Sequence, residues 1–526
     1  MTTLVLIAFS GCQPSTAVFQ SAQLPTVQPT AQPLPPPATQ PPLPTPLPTT
    51  APTATAVIPP SPTPQPLYIA VPPEWETAVS AAAAAVSQPW EIILHAQPTT
   101  LLQSGRADAA LDWNSDGLLI QQSPIVLAVP FTTYWYDTTQ ANADQILANG
   151  HDLVTVLPWT DLTANQRALR IDGRSPADPD YPLQNRLTLA AKPGVETAVS
   201  ALTNQLTNQL TNQPTNQLTN PVISLAAVGD IMLDRALGVQ LQTDRAFPFA
   251  QVAPVLRQAD ITVGNMESAL GDIGSPAAKS YTFRAPPAAA ESLALAGFDI
   301  VSLANNHAMD FGPDALLQAI TLLNNSGITP IGAGANAAAA HAPTFAEING
   351  LTLTFLSYVH VPVESLGFDT ETWTATAETP GLAWADPAQI TADITAVSPQ
   401  ADLIIVLLHS GYEYVEAPSP PQITAAHAAI DAGADLVIGH HAHVLQGVEF
   451  YKDGVIVYGL GNFAFEIDGD PETAVLHAWL DADGVRELAF TPAVIQFGGQ
   501  PRLATPAEAS AILQKIYTLS TFLSSQ

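Results

Sequence analysis

Thiol and positive charge are what this chain has least of. One cysteine, Cys12, stands among 526 residues, so a disulfide framework and a cysteine-ligated metal site are both excluded. Fifteen Lys and Arg face 46 Asp and Glu, a formal net charge of −31. Such a balance rules against non-specific binding to nucleic acid or to anionic lipid, which needs a basic surface. Long apolar runs are scarce too. Leu4 to Phe9 is apolar but too brief to span a bilayer.

Short polar clusters are present instead, mostly where an apolar run ends. They are Gly229-Asp230, Asn265-Met266-Glu267, Asn305-Asn306-His307 with Asp310, His409 to Glu413, Gly439 to His443, and Gly461-Asn462-Phe463. The preceding segments Leu225–Val228, Phe298–Leu303, Leu403–Leu408 and Leu436–Ile438 are aliphatic, the pattern of strands buried on both faces. Loops after the carboxyl ends of such strands are where α/β sheets gather ligands. Imidazoles mixed with carboxylates and an amide oxygen suit Zn, Mn, Fe or Ni better than Ca or Mg. His441 and His443 straddle one residue, so an extended turn is expected to face both to one side. Glu267 is the candidate carboxylate to bridge two ions roughly 3.5–4 Å apart, the spacing used in phosphoester hydrolysis. His440 reads as a neighbour of the ligands, and His427 and His477 as structural.

Taken in order, Gly229-Asp230-Ile231-Met232-Leu233, Asn265-Met266-Glu267, Asn305 to Gly312, His409 to Tyr414, Gly439 to Val444 and Gly461-Asn462-Phe463 resemble the CapA family of capsule-synthesis and poly-gamma-glutamate biosynthesis proteins. That family is similar to the calcineurin-like metallophosphoesterases. The resemblance spans about residues 222–500 and implies a four-layer αββα sandwich. It implies Asp230, Glu267, Asn306, His409, His441 and His443 as ligands of one or two divalent ions, with Mn, Zn or Fe expected. It further implies His307 as the acid that protonates a leaving oxygen, oriented by Asp310. Arg235 and Arg284, scarce cations, are candidate anchors for an anionic substrate, and Glu413 and Asn462 are candidate substrate contacts. The broader phosphoesterases carry His two residues after the first Asp, where this chain has Met232.

The organisation follows from composition. Residues 1–12 read as a lipoprotein signal ending at Cys12, and 13–66, crowded with Pro, Thr and Gln, as a disordered tether. Residues 67–200 return to globular composition and read as a small α/β domain, with Ser104 to Phe131 faintly like a lobe of periplasmic solute-binding proteins. The Leu-Thr-Asn-Gln repeat within 201–221 reads as a flexible linker. The metallophosphoesterase-like domain is expected over 222–500 and a terminal helix over 501–526.

These readings lead to an exported protein, lipid-anchored on the outer face of the membrane. It is expected to act as a metal-dependent hydrolase of a phosphoester or amide-like bond in the synthesis, release or trimming of a capsular or cell-surface polymer. Two alternatives stand beside it. One is a noncatalytic partner of a membrane polymer synthase, and the other a solute sensor working through residues 67–200.

Overall fold

In the computed structural model, strand Ile223–Ile231 shows how the C-terminal region is layered. Its side chains alternate, as a strand's must. Leu225 and Ala227 enter a core shared with Leu403, Ile405, Leu407 and Ile438 of a second sheet. Ala226 and Val228 point the other way, into a core with Leu293, Leu316 and Leu323 of the helices Ala289–Ala296 and Pro313–Asn325. The second sheet repeats the device. Ile404, Val406 and Leu408 of strand Leu403–Ser410 turn outward against Ile390 and Ile394 of helix Pro387–Val397 and Ala425, Ala426 and Ala429 of helix Pro420–Asp431. Each such Leu or Ile contributes about 1.5–3 kcal/mol by leaving water. The result is helix, sheet, sheet, helix: the αββα sandwich.

The structure describes residues 64–212, 221–364, 367–466 and 469–523. The first sheet of the sandwich has seven strands. Ile223–Ile231 lies at its centre, parallel to Ile261–Met266 and antiparallel to Glu472–Asp481. Ile261–Met266 runs parallel to Ile300–Ser302, so three strands end at one rim. The second sheet has six strands, with Leu351–His360, Leu403–Ser410 and Leu436–His440 parallel and in register. Glycine permits the closest approach. A Cβ on Gly229 would meet the carbonyl oxygen of Gly461 at 1.9 Å, so only glycine lets the segment through Asn462 run beside Asp230.

Residues 67–200 form a mixed seven-stranded sheet, in which Leu67–Val71 pairs in parallel with Trp90–Leu94 and Ala109–Trp113. Three boundaries differ from the sequence reading. First, this part is not set apart, because Pro64–Gln526 forms one unit. Phe131 packs edge-on against Phe450 and Tyr517, and the Arg167 guanidinium lies 5.2 Å from the Tyr517 ring centre. Second, the repeat is helical over Glu196–Asn212. Its four-residue period places Leu202 and Leu206 on one face, where they are buried with Val79 and Ala82. Third, Pro501–Leu503 is an edge strand, and the terminal helix runs Pro506–Leu523. The signal with Cys12, the tether as far as residue 63 and the linker over 213–220 lie outside the described residues. Among the described residues no helix is long and apolar enough to cross a membrane.

The junction carries a pH dependence. Glu487 is buried and accepts hydrogen bonds from Trp159 Nε1 at 2.8 Å and from the Ala168 amide at 3.1 Å. Burial pushes its carboxyl up to about 7, against those two donors and the nearby Arg167. A raised acid favours the folded state only while it can hold its proton. That stability is therefore complete below the ordinary value near 4.5 and lost as pH climbs through about 7, an effect of about 3 kcal/mol. Urea unfolding at pH 5 and pH 8 should show the parent losing this much relative to Glu487→Gln. An unchanged gap between the two proteins would refute the assignment.

Candidate metal centre

The carboxyl ends of both sheets meet at one rim, and each expected side chain arrives there from its own strand or the turn after it. Asp230 closes the first strand, Glu267 follows Ile261–Met266, and Asn306 follows Ile300–Ser302. His409 lies at the end of Leu403–Ser410, while His441 and His443 follow Leu436–His440. All six are buried. Ligand atoms of Glu267, His441 and His443 lie within 4.8 Å of one another, as do those of Asp230, Glu267 and His409. Glu267 belongs to both groups. The expected extended turn is corrected: His441 and His443 take φ of 86° and 56°, left-handed values that a side chain resists, and their rings still sit 5.7 Å apart.

Hydrogen bonds fix most of the ring. Asp230 Oδ1 accepts from Asn265 Nδ2 at 2.8 Å and Oδ2 from the His441 amide at 3.0 Å. His443 Nδ1 lies 2.9 Å from Asn462 Oδ1, the donor arrangement that leaves Nε2 as the acceptor 3.8 Å from Glu267 Oε1. Asn462 thus orients a ring inside the centre and is buried, which corrects its reading as a substrate contact. His409 Nε2 is 2.8 Å from Asn306 Oδ1 and 3.5 Å from Glu267 Oε1. His440 donates Nε2–H to the Val228 carbonyl at 3.1 Å, a structural tie.

Unpartnered atoms test whether the centre suits a cation. Among the described residues, Glu267 Oε1, Glu267 Oε2 and His441 Nδ1 are buried without a hydrogen-bond partner. Buried polar atoms are rarely left so. Burial, then the charges of Asp230 and Glu413, push the Glu267 carboxyl well above its usual range. Burial also raises Asp230, but the His443 hydrogen bond and the fields of His440 and His409 outweigh it and hold the group well below. His409 is held well below the ordinary imidazole range by burial and by His441, and His441 is pushed down to about 3 by burial and by His443. For His443 burial depresses the value, but the Asp230 hydrogen bond and charge overcome it and raise the net. The neutral rings of His409 and His441, with His443 held against Asp230 and the Glu267 carboxyl between them, are a donor set that a divalent cation fits.

His307 stands beside this ring. Its Nδ1 lies 2.7 Å from Asp310 Oδ2, and its ring centre 4.4 Å from that of Phe283. Lys279, absent from the sequence reading, joins the group with a fully buried side chain. Its Nζ lies 2.8 Å from Asp310 Oδ1 and 2.6 Å from Glu364 Oε1, and donates to the Asn306 carbonyl at 2.6 Å. Glu364 in turn accepts from Asn306 Nδ2 at 3.0 Å. Both residues lie in loops outside every motif, so no spacing announced them. Met232 packs with Phe283 and Phe465 in a small apolar cluster, and Phe465 lies 5.4 Å from the His443 ring.

The remaining candidates surround the centre. Arg235 is exposed, with its guanidinium 5.0 Å from the Phe283 ring centre. Arg284 stacks on Phe311 at 4.3 Å. Glu413 is exposed on the loop whose Tyr414 amide donates to the Ala442 carbonyl at 2.7 Å.

The class so defined is an αββα sandwich with a histidine and carboxylate centre at the carboxyl ends of its strands. Residues 224–467 match the model of the bacterial capsule synthesis protein PGA_cap family. The chain is 32% identical over 296 residues to the capsule biosynthesis protein CapA of Bacillus anthracis, covering 54% of this chain and 70% of that one. It is also 32% identical over 277 residues to the PGA biosynthesis protein CapA of Bacillus subtilis, covering 52% and 71%. A solved structure described as a novel phosphatase of Mycoplasma pneumoniae aligns with 52% of this chain and 95% of its own, at 14% identity and a TM-score of 0.35. The chain belongs to the PGA_cap family of bacterial capsule synthesis proteins.

Proposed function

We propose that this protein is a metal-dependent hydrolase acting on a phosphoester or amide-like bond during the making or trimming of a capsular or cell-surface polymer. The observation that carries the reading is the buried, unpartnered carboxylate of Glu267 between two sets of imidazole and carboxylate atoms. Asp230, Glu267, His409, His441 and His443 would hold the cation, with the Asn306 amide oxygen at the edge of the set. Bound there, a divalent ion supplies Lewis-acid polarisation of the scissile bond and acidifies an attacking water. His307 gives a proton to the departing oxygen or nitrogen while Asp310 holds its Nδ1, and the apolar wall of Met232, Phe283 and Phe465 limits water on one side. The names of the two CapA relatives support the polymer setting.

Elemental analysis of the purified full chain, followed by assays on a phosphodiester and on poly-gamma-glutamate, tests this reading. His307→Ala is expected to keep its metal and lose turnover by about 10²–10⁴-fold. Full turnover in that variant would remove His307 from the mechanism. Met232 favours a second reading, in which one cation is held and the domain serves as a noncatalytic partner of a polymer synthase. Metal-loaded protein inactive on both substrates would support it. The apolar run before Cys12 supports placement on the outer membrane face through a lipid on that thiol. Cys12→Ser should then move the protein from the membrane fraction into the soluble one, and retention of the variant would oppose the anchor.

A further inference from the structure

Where residues 67–200 meet the sandwich, a cleft of about 500 Å³ opens, within the range of small-molecule sites. Its walls include Trp159, Trp479, His477 and Arg170. It is separate from the metal centre. Trp479 pairs with Ser224 near the amino end of the central strand, and Asp230 lies six residues on, about 20 Å away at strand rise.

Arg170 sets this cleft apart. Other cations nearby are engaged: Arg174 sits on Asp180 at 2.8 Å, Arg486 sits on Asp481, and Arg167 donates to the carbonyls of Thr133 and Trp135. Arg170 is half-buried, yet among the described residues its guanidinium has no hydrogen-bond or ion-pair partner; its engaged atoms are those of the backbone, which pairs with Asp137. The acids of the cleft are committed elsewhere. Asp178 accepts from the Ser175 amide at 2.7 Å, and Asp260 accepts from the Ser224 amide and hydroxyl at 2.8 and 2.7 Å. His477 lies 3.0 Å from Thr491 Oγ1 and stacks on Trp479, and burial together with Arg170 pushes its imidazole down to about 4, so it adds no charge at neutral pH. Glu487 feels the charge of Arg170, but it already accepts from Trp159 and Ala168 and makes no ion pair with it. A half-buried guanidinium with no direct partner, beside two indoles, is a receptor for an oxyanion carried on a flat apolar body.

We propose that this cleft binds a small organic anion, its carboxylate or phosphoryl group on Arg170 and its planar body against Trp159 and Trp479. The site goes beyond the hydrolytic reading and gives the N-terminal region a ligand of its own. Benzoate and phenylphosphonate, with inorganic phosphate as the probe lacking a body, test it on the full chain by melting temperature and tryptophan fluorescence. Using the Glu267→Gln background keeps anions held at the metal centre out of the measurement and makes the result independent of whether that centre works.

At least one phenyl anion should raise the melting temperature and quench fluorescence more than phosphate does. A preference for benzoate marks a carboxylate ligand, and one for phenylphosphonate a phosphoryl ligand. Arg170→Gln should weaken binding by about tenfold or more. If that variant does not fold, Trp479→Leu should abolish the quenching. Absence of binding by both phenyl anions, or equal binding by the parent and a folded Arg170→Gln, overturns the proposal.

Discussion

Replacing Glu267 by Gln should strip the centre of its cation and, at the same time, leave the metal-free protein more stable than the parent. The carboxylate is fully buried and both oxygens lack partners among the described residues, with Asp230 close enough to raise its proton affinity. Without a cation, the buried carboxyl must stay charged without a partner or take up a proton, which opposes folding by about 2–3 kcal/mol at neutral pH, and a neutral amide of the same shape removes much of that penalty. Calorimetry in chelator is expected to show the variant gaining about 2 kcal/mol or more. With the divalent ion in excess the order reverses, because only the parent gains from binding. Elemental analysis should find the variant nearly empty. A Gln variant that keeps its metal, or that melts lower than the parent in chelator, would mean that Glu267 is satisfied in another way.

Lys279→Met should give the largest loss of stability. The ammonium group is the shared partner of Asp310 and Glu364, and none of the three side chains is more than 11% exposed. Removing it leaves two buried carboxylates facing each other across an apolar side chain, a change that costs about 3–5 kcal/mol. Lys279 also lies 5.1 Å from the Trp373 ring centre and 5.7 Å from that of Phe368, so the methionine stem retains the packing and the loss is one of charge. Urea unfolding of parent and variant at neutral pH measures it. A difference under about 1 kcal/mol would show that water reaches the cluster and screens it.

The main sheets and most of the centre were legible because one physical rule governs both. Aliphatic runs such as Leu403–Leu408 mark strands buried on two faces, and polar residues at their ends have nowhere to go but the rim. Lys279 and Glu364 escaped because a buried ion pair between distant loops leaves no period in the sequence. The Leu-Thr-Asn-Gln repeat misled for a different reason. Its leucines are few, yet at four-residue spacing Leu202 and Leu206 gain a helical face from neighbours that composition does not reveal. Asn462 was noticed, but whether it faces a ligand or braces His443 depended on the approach of Gly461 to Gly229.

The two sheets deliver their donors to the rim like the jaws of a caliper. Glu267 and Asp230 ride on one jaw, His409, His441 and His443 on the other, and the opening is set by the side chains between them, among them Leu225, Ile405 and Ile438. A change of girth deep in that filling would alter the bite without touching a single donor. The spacing of the donors, and with it the size of ion they could hold, is therefore adjustable from the interior of the sandwich.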